Sequence, residues 1–522
     1  MTRSGICCFV LSAVLVTSHA RAEIRTVAVT GGAAPGTTAG ETFLGFRELQ
    51  FNNRGEVAFY AELADSNGQG LYVDSPDITP DVGVWVVGPT TSRLIARQGR
   101  TAPAGLPGSS VWLIDPFDSD DNRYGFSLSD AGLLFEGLAR LSRFDRGLWY
   151  FPASEDPVPV AFTGQAMPGD DLVFGRLRAR QMSDGGRALF EAALHRPDDT
   201  EHPIGSSLWT FTPTEGMNLI ARTGLPAPGT LPPAFFGNSS IGSSINASGD
   251  VVFFKKIIAS PDGITSGSSS APQGIWSGRS LDDIELISLS TGIEAVTINN
   301  RGDVAFASGS SARIYRDGQL SPIAVSSQTP PGTTPAGPLH RIDHIALNDS
   351  GKTSFGAMFF GDDITPGGWG IWEHEGGELR PVAASGMNAP LQDESVFTSV
   401  KRQSLSMNEA GQIAFASTVV DFSGDETRRF GVFAQDINGD LHTIVLSGEE
   451  LDIGDGDLRT VFTVHDPAIN NLGQVVFQAR FTDGTQGIFV SDAVAVPEPS
   501  SLMLMASALC IVAMRRRRRV SF

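Results

Sequence analysis

Cysteine is nearly absent. The three residues of that type, Cys7, Cys8 and Cys510, all fall in terminal apolar runs, and the long body between them has none. A body without thiols excludes a cysteine nucleophile, thiolate zinc sites and iron–sulfur clusters. Disulfides are excluded with them, so the body rests on its own hydrophobic core, which a chain of this size can supply. Basic residues are scarce too: Lys+Arg is 38 against Asp+Glu 58, for a formal charge of −20. Nucleic acid as a partner requires a basic face and is excluded on that ground. Standard catalytic signatures are missing as well. There is no Gly-x-Ser-x-Gly elbow, His-Glu-x-x-His pair or Gly-x-x-x-x-Gly-Lys-Ser/Thr loop.

What is present is apolar and turn-rich. A hydrophobic fraction of 41 % with 32 Phe excludes an extended disordered chain. Gly 59 and Pro 31 stay below the roughly 25–30 % that marks low-complexity sequence. Together they indicate many turns between short strands, hence an all-β chain. At 522 residues it exceeds the roughly 100–200 of one ordinary domain. Two to four domains, or a single repeat architecture, remain open at this point.

Both ends read as processing segments. Arg3, the apolar run Ile6 to Val16 and Ala20-Arg21-Ala22 make residues 1–22 a secretory signal, cleaved before Glu23. At the other end Pro497-Glu498-Pro499 precedes an apolar run, 500–514, and then Arg515, Arg516, Arg517, Arg518 and Arg519. As a helix that run spans about 22 Å, short of the ~17–25 residues of a comfortable crossing but long enough to be held in a bilayer. It is read as a transmembrane helix, with the Arg-rich tail 515–522 on the cytoplasmic side. This three-part tail resembles the PEP-CTERM sorting signal of exported Gram-negative proteins. The resemblance implies recognition by an exosortase, a membrane-embedded transpeptidase-like cysteine protease that cuts near Pro497, Glu498 and Pro499. A plain C-terminal membrane anchor is the alternative. Inner-membrane contact is then transient or permanent, and the processed protein is expected at the cell surface or outside the cell. Without its ends the body keeps 31 basic and 57 acidic residues, a charge of about −26.

The body, 23–492, is repetitive, and a linker, 493–499, joins it to the tail. Asn52-Asn53-Arg54-Gly55-Glu56-Val57-Ala58-Phe59 returns as Asn299-Asn300-Arg301-Gly302-Asp303-Val304-Ala305-Phe306. Further copies centre on Asn246/Gly249, Asn348/Gly351, Asn408/Gly411 and Asn470/Gly473. Two more place Ser first, Ser129/Gly132 and Ser183/Gly186, and in the former the aromatic Phe135 arrives one residue early. Each copy is followed by a short aromatic strand, such as Gly83-Val84-Trp85, Gly274-Ile275-Trp276 or Ile314-Tyr315. An apolar strand then ends in turns like Gly-x-x-Ala-Pro-Gly. Four alternating strands per unit with Gly, Asn and Pro at the joints form a meander. Asn or Ser bonds the backbone across the tight turn, and Gly accepts positive φ. The Asn residues are therefore read as scaffold rather than as ligands.

The order of strands around the repeats predicts a ring. The body opens on a fourth strand near Val27 that lacks its first three, and ends at Gly487-Ile488-Phe489-Val490, a third strand without a fourth. Joining the two completes an eighth unit and removes exposed sheet edges. The expected fold is an eight-bladed β-propeller of four-stranded blades, with seven blades as the alternative. The repeat resembles the tandem Asn-x-x-Gly-x-x-Ala-Phe repeats of bacterial surface proteins with interchangeable anchoring tails. That resemblance implies a secreted or surface-attached protein and supplies no catalytic residues.

Any site is expected where the second and third strands and the between-blade connections meet, in the variable loops Glu62 to Val82, His195 to Ser207, Ile257 to Gln273, Phe360 to Gly368 and Val419 to Phe430. His340 and His344 share a strand and, about 13 Å apart, do not make one metal site. Arg301-Gly302-Asp303 is one repeat's turn rather than an adhesion signal. The acidic stretches Asp118 to Asn122, Asp436 to Asp440 and Asp452 to Asp457 lack the spacing of a calcium loop, and at most weak calcium binding is expected. No other cofactor is expected. Two functions follow. One is a non-enzymatic surface or matrix protein that binds exopolysaccharide or neighbouring surface proteins, with exosortase and the secretion machinery as its processing partners. The other is a secreted polysaccharide hydrolase or lyase using two funnel carboxylates about 5–10 Å apart.

Overall fold

The computed structural model describes residues 23–494, apart from 74–78, 101–111, 114–124, 140–145, 154, 200–201, 231–233, 239–241, 261–271, 334–336, 361–367, 392–393, 401–404 and 422–426. Every regular element among the described residues is a β-strand. Eight antiparallel sheets are the blades of an eight-bladed propeller, and a two-stranded sheet, Tyr72–Val73 with Thr79–Pro80, lies in the loop of blade 2. Blade 1 joins the two ends of the chain: Ile24–Val29 pairs with Gln486–Ser491, beside Val475–Phe481 and Leu458–Ile469. Blade 2 is the plain meander Thr42–Phe51, Val57–Ala64, Val82–Val87, Ser92–Arg97. Blades 3 to 8 follow in chain order, their second strands being Gly132–Ala139, Ala188–His195, Val251–Ile258, Val304–Ser308, Thr353–Phe359 and Ile413–Asp421. The ring closes as the split first and last strands predict. No helix among the described residues is long and apolar enough to cross a membrane. The segments read as signal, sorting motif, transmembrane helix and arginine tail lie outside the described residues.

The turn between first and second strands does two jobs. Within its own blade, Asn52 Oδ1 accepts the N–H groups of Arg54 and Glu56, and Gly55 takes φ 74°. Gly249, Gly302, Gly351, Gly411 and Gly473 sit in the same left-handed region. Between blades, the Asn Nδ2 donates to the carbonyl of the next turn. Asn52 reaches Ser129 at 3.1 Å, Asn246 reaches Asn299 at 2.9 Å, Asn299 reaches Asn348 at 2.9 Å and Asn348 reaches Glu409 at 3.2 Å. Asn408 reaches Asn470 at 2.9 Å, and Asn470 returns to Asn52 at 3.2 Å across 418 residues of sequence. Ser129 keeps this link through its hydroxyl, which bonds Ser183 O, whereas the Ser183 hydroxyl accepts from Arg187 N within its own turn. A second circle runs beside the first. The side chains of Asn53, Asp130, Asp184, Asn300, Asp349, Glu409 and Asn471 each accept the backbone N–H of the preceding blade's turn. Net contributions of about 1 kcal/mol per bond, repeated around the ring, hold the blades in register.

The early Phe135 has a local cause. Ser129 pairs directly with Gly132, so this turn is one residue shorter than the others and Gly132, at φ 145°, already belongs to the strand. The shortening leaves Phe135 opposite Trp149, as Phe59 stands opposite Trp85. The aromatic assigned to blade 6 requires correction. Phe306 faces Arg313, whereas Tyr315 faces Val304, so Ile314-Tyr315 does not supply the aromatic partner.

Apolar residues collect in eight buried clusters among the described residues, one at each blade-to-blade interface. Each typically joins a second-strand Phe, a third-strand aromatic stacked on it and a first-strand aromatic set edge-on. Phe253 and Trp276 stack at 5.6 Å, and Phe236 meets Trp276 at 4.9 Å and 75°. The stacking also explains the Gly of the Gly-x-Trp strands. A Cβ on Gly83, Gly147, Gly274 or Gly370 would lie 2.2–2.5 Å from the Trp two residues later. Blade 4 carries Ser207 at this place, and Trp209 Nε1 donates to its Oγ at 2.9 Å. The cluster between blades 5 and 6, where Arg313 replaces the aromatic, contains no buried Trp.

Candidate functional site

First strands stand innermost, and their polar side chains bridge laterally from blade to blade. Gln50 Nε2 donates to Phe126 O and its Oε1 accepts from Leu128 N. Gln181 Oε1 accepts from Ile245 N, and the hydroxyls of Ser127 and Ser406 accept from Met182 N and Ile469 N. These strands therefore line a central channel. It opens on the Asn turns at one end and on the between-blade connections at the other.

Near the second mouth the first strands bulge at one recurrent level. Pairing skips Leu44, Glu294, His340, Thr398 and Phe462, each directly after a buried residue: Phe43, Ile293, Leu339, Phe397 and Val461. Extra residues of this kind re-aim a side chain. Neighbouring blades flank both faces of these strands and the second strand their outer edge, leaving the channel and the end face of the ring as the open sides. Phe462 is 56 % exposed and Leu44 37 %. His340 is exposed and meets Phe360 edge-on at 4.6 Å. Blade 4 skips Gly175 and Arg176 instead. Gly175 has no room for more, since a Cβ there would lie 2.1 Å from the ring of buried His195. His195 Nδ1 is buried without a hydrogen-bond partner among the described residues. The wall of the mouth is thus apolar and aromatic on blades 7, 1 and 2, and small on blade 4.

Behind this mouth, blades 3 to 5 bury charge. Arg146 holds Glu136 at 2.5 Å. Burial pushes the Glu136 carboxyl above its usual range, against the pull of Arg146, Arg176 and Arg178. Arg180 pairs with Glu191. Lys255 is fully buried, and its Nζ donates to Ser206 Oγ at 2.7 Å. Burial lowers the Lys255 ammonium from 10.5 to about 8, partly offset by the charge of Glu191. Between those two values the unfolded chain binds the extra proton, so stability rises with pH from about 8 towards 10.5. Urea unfolding of the native protein is expected to gain up to about 3 kcal/mol over this interval relative to Lys255→Met. Equal pH dependence in the two proteins would refute this account of the lysine.

Other mouth carboxylates are likewise tied to arginine. Arg97 grips Asp81 at 2.6 Å and Glu41 at 2.7 Å. Burial disfavours the Glu41 anion, but Arg97 and the Thr38 N–H outweigh it and hold the carboxyl below its ordinary value. Arg341 bonds Glu294 at 3.0 Å and lies 3.9 Å from Asp343, and Arg47 bonds Glu62 at 2.9 Å. Arg97 thus contacts two of these carboxylates at once, Asp81 and Glu41.

The sequence-derived candidates scatter. His340 lies at the mouth, while His344 is separated from it by two register shifts. Asp436 Oδ1 accepts from Asn438 N and Asp440 N, and its Oδ2 is 3.2 Å from His442 Nε2. Asp452 caps Gly454 N. Asp118 to Asn122 falls outside the described residues, and among the described residues no three His, Cys, Asp or Glu converge as metal ligands. Of the expected loops, Glu62 to Val82 contributes Asp81, and His195 to Ser207 contributes its buried ends. Much of the other three lies outside the described residues. Apart from His340, the bulge residues were not singled out from sequence, nor was Lys255, because their roles depend on pairing register.

The chain belongs to the family of unknown function DUF7453, which matches residues 3–117, 77–287 and 287–503. The PEP-CTERM protein-sorting motif matches residues 495–519. No curated protein matches the chain. Similar solved structures include the β-propeller domain of the trilobed protease from Pyrococcus furiosus, described as having an open velcro topology. It is 9 % identical over 79 % of this chain and 100 % of that one, with a TM-score of 0.38. An oligogalacturonate lyase in complex with manganese is 10 % identical over 78 % and 100 %, with a TM-score of 0.37. The Pseudomonas aeruginosa periplasmic gluconolactonase is 12 % identical over 69 % and 95 %, with a TM-score of 0.30. The sorting motif makes this an exported, exosortase-processed protein of the cell surface or extracellular space.

Proposed function

We propose that this DUF7453 propeller is a non-enzymatic display module that holds exopolysaccharide at its channel mouth once its tail has been processed. One observation carries the reading: Glu41, Asp81, Glu62 and Glu294 near the mouth pair with Arg97, Arg47 and Arg341, while Phe462, Leu44 and Phe360 stand exposed there beside His340 and Thr398. Glycoside hydrolysis needs one protonated and one free carboxylate flanking the bond. Glu136, with its raised carboxyl, is instead buried against Arg146. Phe462 and Phe360 offer flat surfaces on which the C–H faces of sugars can stack.

The test is to incubate the mature domain with neutral and acidic exopolysaccharides, following binding by calorimetry and new reducing ends or unsaturated products by colorimetry. Binding without turnover is expected, with Phe462→Ala weakening it at least about fivefold, or ~1 kcal/mol. Sustained product release, abolished by Glu294→Gln or Asp343→Asn, would establish the hydrolase or lyase alternative instead.

A further inference from the structure

Both ends of the folded body emerge at one corner. Asp492 N donates to Glu23 O at 2.7 Å, and Glu23 is the residue expected to follow signal cleavage. Val494 N donates to Gly473 O at 3.0 Å, and the Val494 side chain is 7 % exposed, packed into the cluster between blades 8 and 1. Gly473 belongs to the Asn470 turn, so the chain leaves on the Asn-turn face, opposite the bulged mouth. The packed body thus runs two residues past the boundary at 492 read from sequence.

From Val494 the chain has little slack. Pro497 is three residues on and Ser500 six, and an extended chain covers at most about 3.3–3.6 Å per residue. The first residue of the Pro-Glu-Pro motif can therefore lie no more than roughly 11 Å from Val494, its last no more than roughly 18 Å, and the start of the apolar run no more than roughly 22 Å. A membrane-embedded protease that cuts near the motif must come against the folded propeller, or the buried Val494 must first be pulled out. The surface beside the exit is unlike its seven equivalents. The third residue of the turn is Arg54, Ala131, Gly185, Ser248, Arg301, Ser350 and Ala410 in blades 2 to 8, but Leu472, 57 % exposed, in blade 1.

We infer that the Asn-turn face of blade 1, centred on Leu472, is the surface on which the exosortase meets the folded propeller, with the channel mouth turned away from the membrane. The inference goes beyond the binding function proposed above and does not depend on it. In cells with the sorting machinery, the full-length protein with Leu472→Glu should lose its tail at least fivefold more slowly, by immunoblot of precursor and mass spectrometry of the C-terminus. Leu472→Ser should fall between, and Leu289→Glu, on the outer strand of blade 5, should be processed normally. A flexible Gly-Ser insert of about 12 residues after Val494 adds roughly 17–21 Å of mean reach and should restore the rate of the Leu472→Glu protein. Unchanged processing of Leu472→Glu, equal slowing by Leu289→Glu, or failure of the insert to rescue would each overturn the inference. So would flotation of the tail-less propeller with phosphatidylethanolamine–phosphatidylglycerol vesicles in a Leu472-dependent way, since the contact would then be with lipid.

Discussion

Deleting residues 23–30 is expected to destroy the cooperative melting of the whole propeller, not merely to loosen one edge. The segment supplies the outer strand of blade 1, and its removal leaves the outer edge of Gln486–Ser491 unpaired, with only Val475–Phe481 still beside it. It also unseats Ala28 from the cluster between blades 1 and 2. Several ladder bonds at about 1 kcal/mol each, plus the lost apolar burial, put the cost at about 5 kcal/mol or more. An unpaired strand edge also invites pairing with a second molecule. The truncated protein should melt broadly at a much lower midpoint and run partly as an oligomer by light scattering. A circular permutant that joins Asp492 to Glu23 through a short turn and opens within 261–271 should restore a single sharp transition. Normal melting of the truncated protein would show that the ring does not depend on its closing strand.

The second large effect concerns a residue with no reactive group. Gly274→Val should cost about 3 kcal/mol, at the upper end for overpacking, because the first added carbon would stand 2.2 Å from Trp276 Cη2. Shrinking the ring in Gly274→Val/Trp276→Leu should recover part of that loss, since the clash is with the indole. Gly302 is the contrast. A Cβ there meets nothing within 4 Å, and only φ +84° resists substitution, so Gly302→Ala should cost about 1–2 kcal/mol. Guanidinium titrations of the three proteins would separate the two causes. Equal losses at Gly274 and Gly302, or no recovery in the double variant, would argue against aromatic packing as the reason for the Gly-x-Trp repeat.

Much of the fold could be read from residues a few positions apart. Asn, Gly and the Phe that follows form a local device, so each copy announces its own turn, and the split between the first and last strands announced the ring. Tyr315 misled because composition alone suggested an aromatic strand. Pairing instead sets Arg313 opposite Phe306, and only the partner strand reveals that shift. Leu44, His340, Thr398 and Phe462 look like ordinary members of alternating strands until a bulge releases each from its pair.

By itself the sequence determined the blade count, the closing strand and the sorting tail, because these follow from short-range turn chemistry, period-two alternation and a contiguous three-part signal. Tertiary structure decided what those blades present. Asn470 bonds Asn52 across 418 residues, Arg341 finds Glu294 on the neighbouring blade, and His195 lies over Gly175 from the adjacent strand. Such meetings depend on how sheets stack and where strands slip register, and neither is encoded within any single repeat.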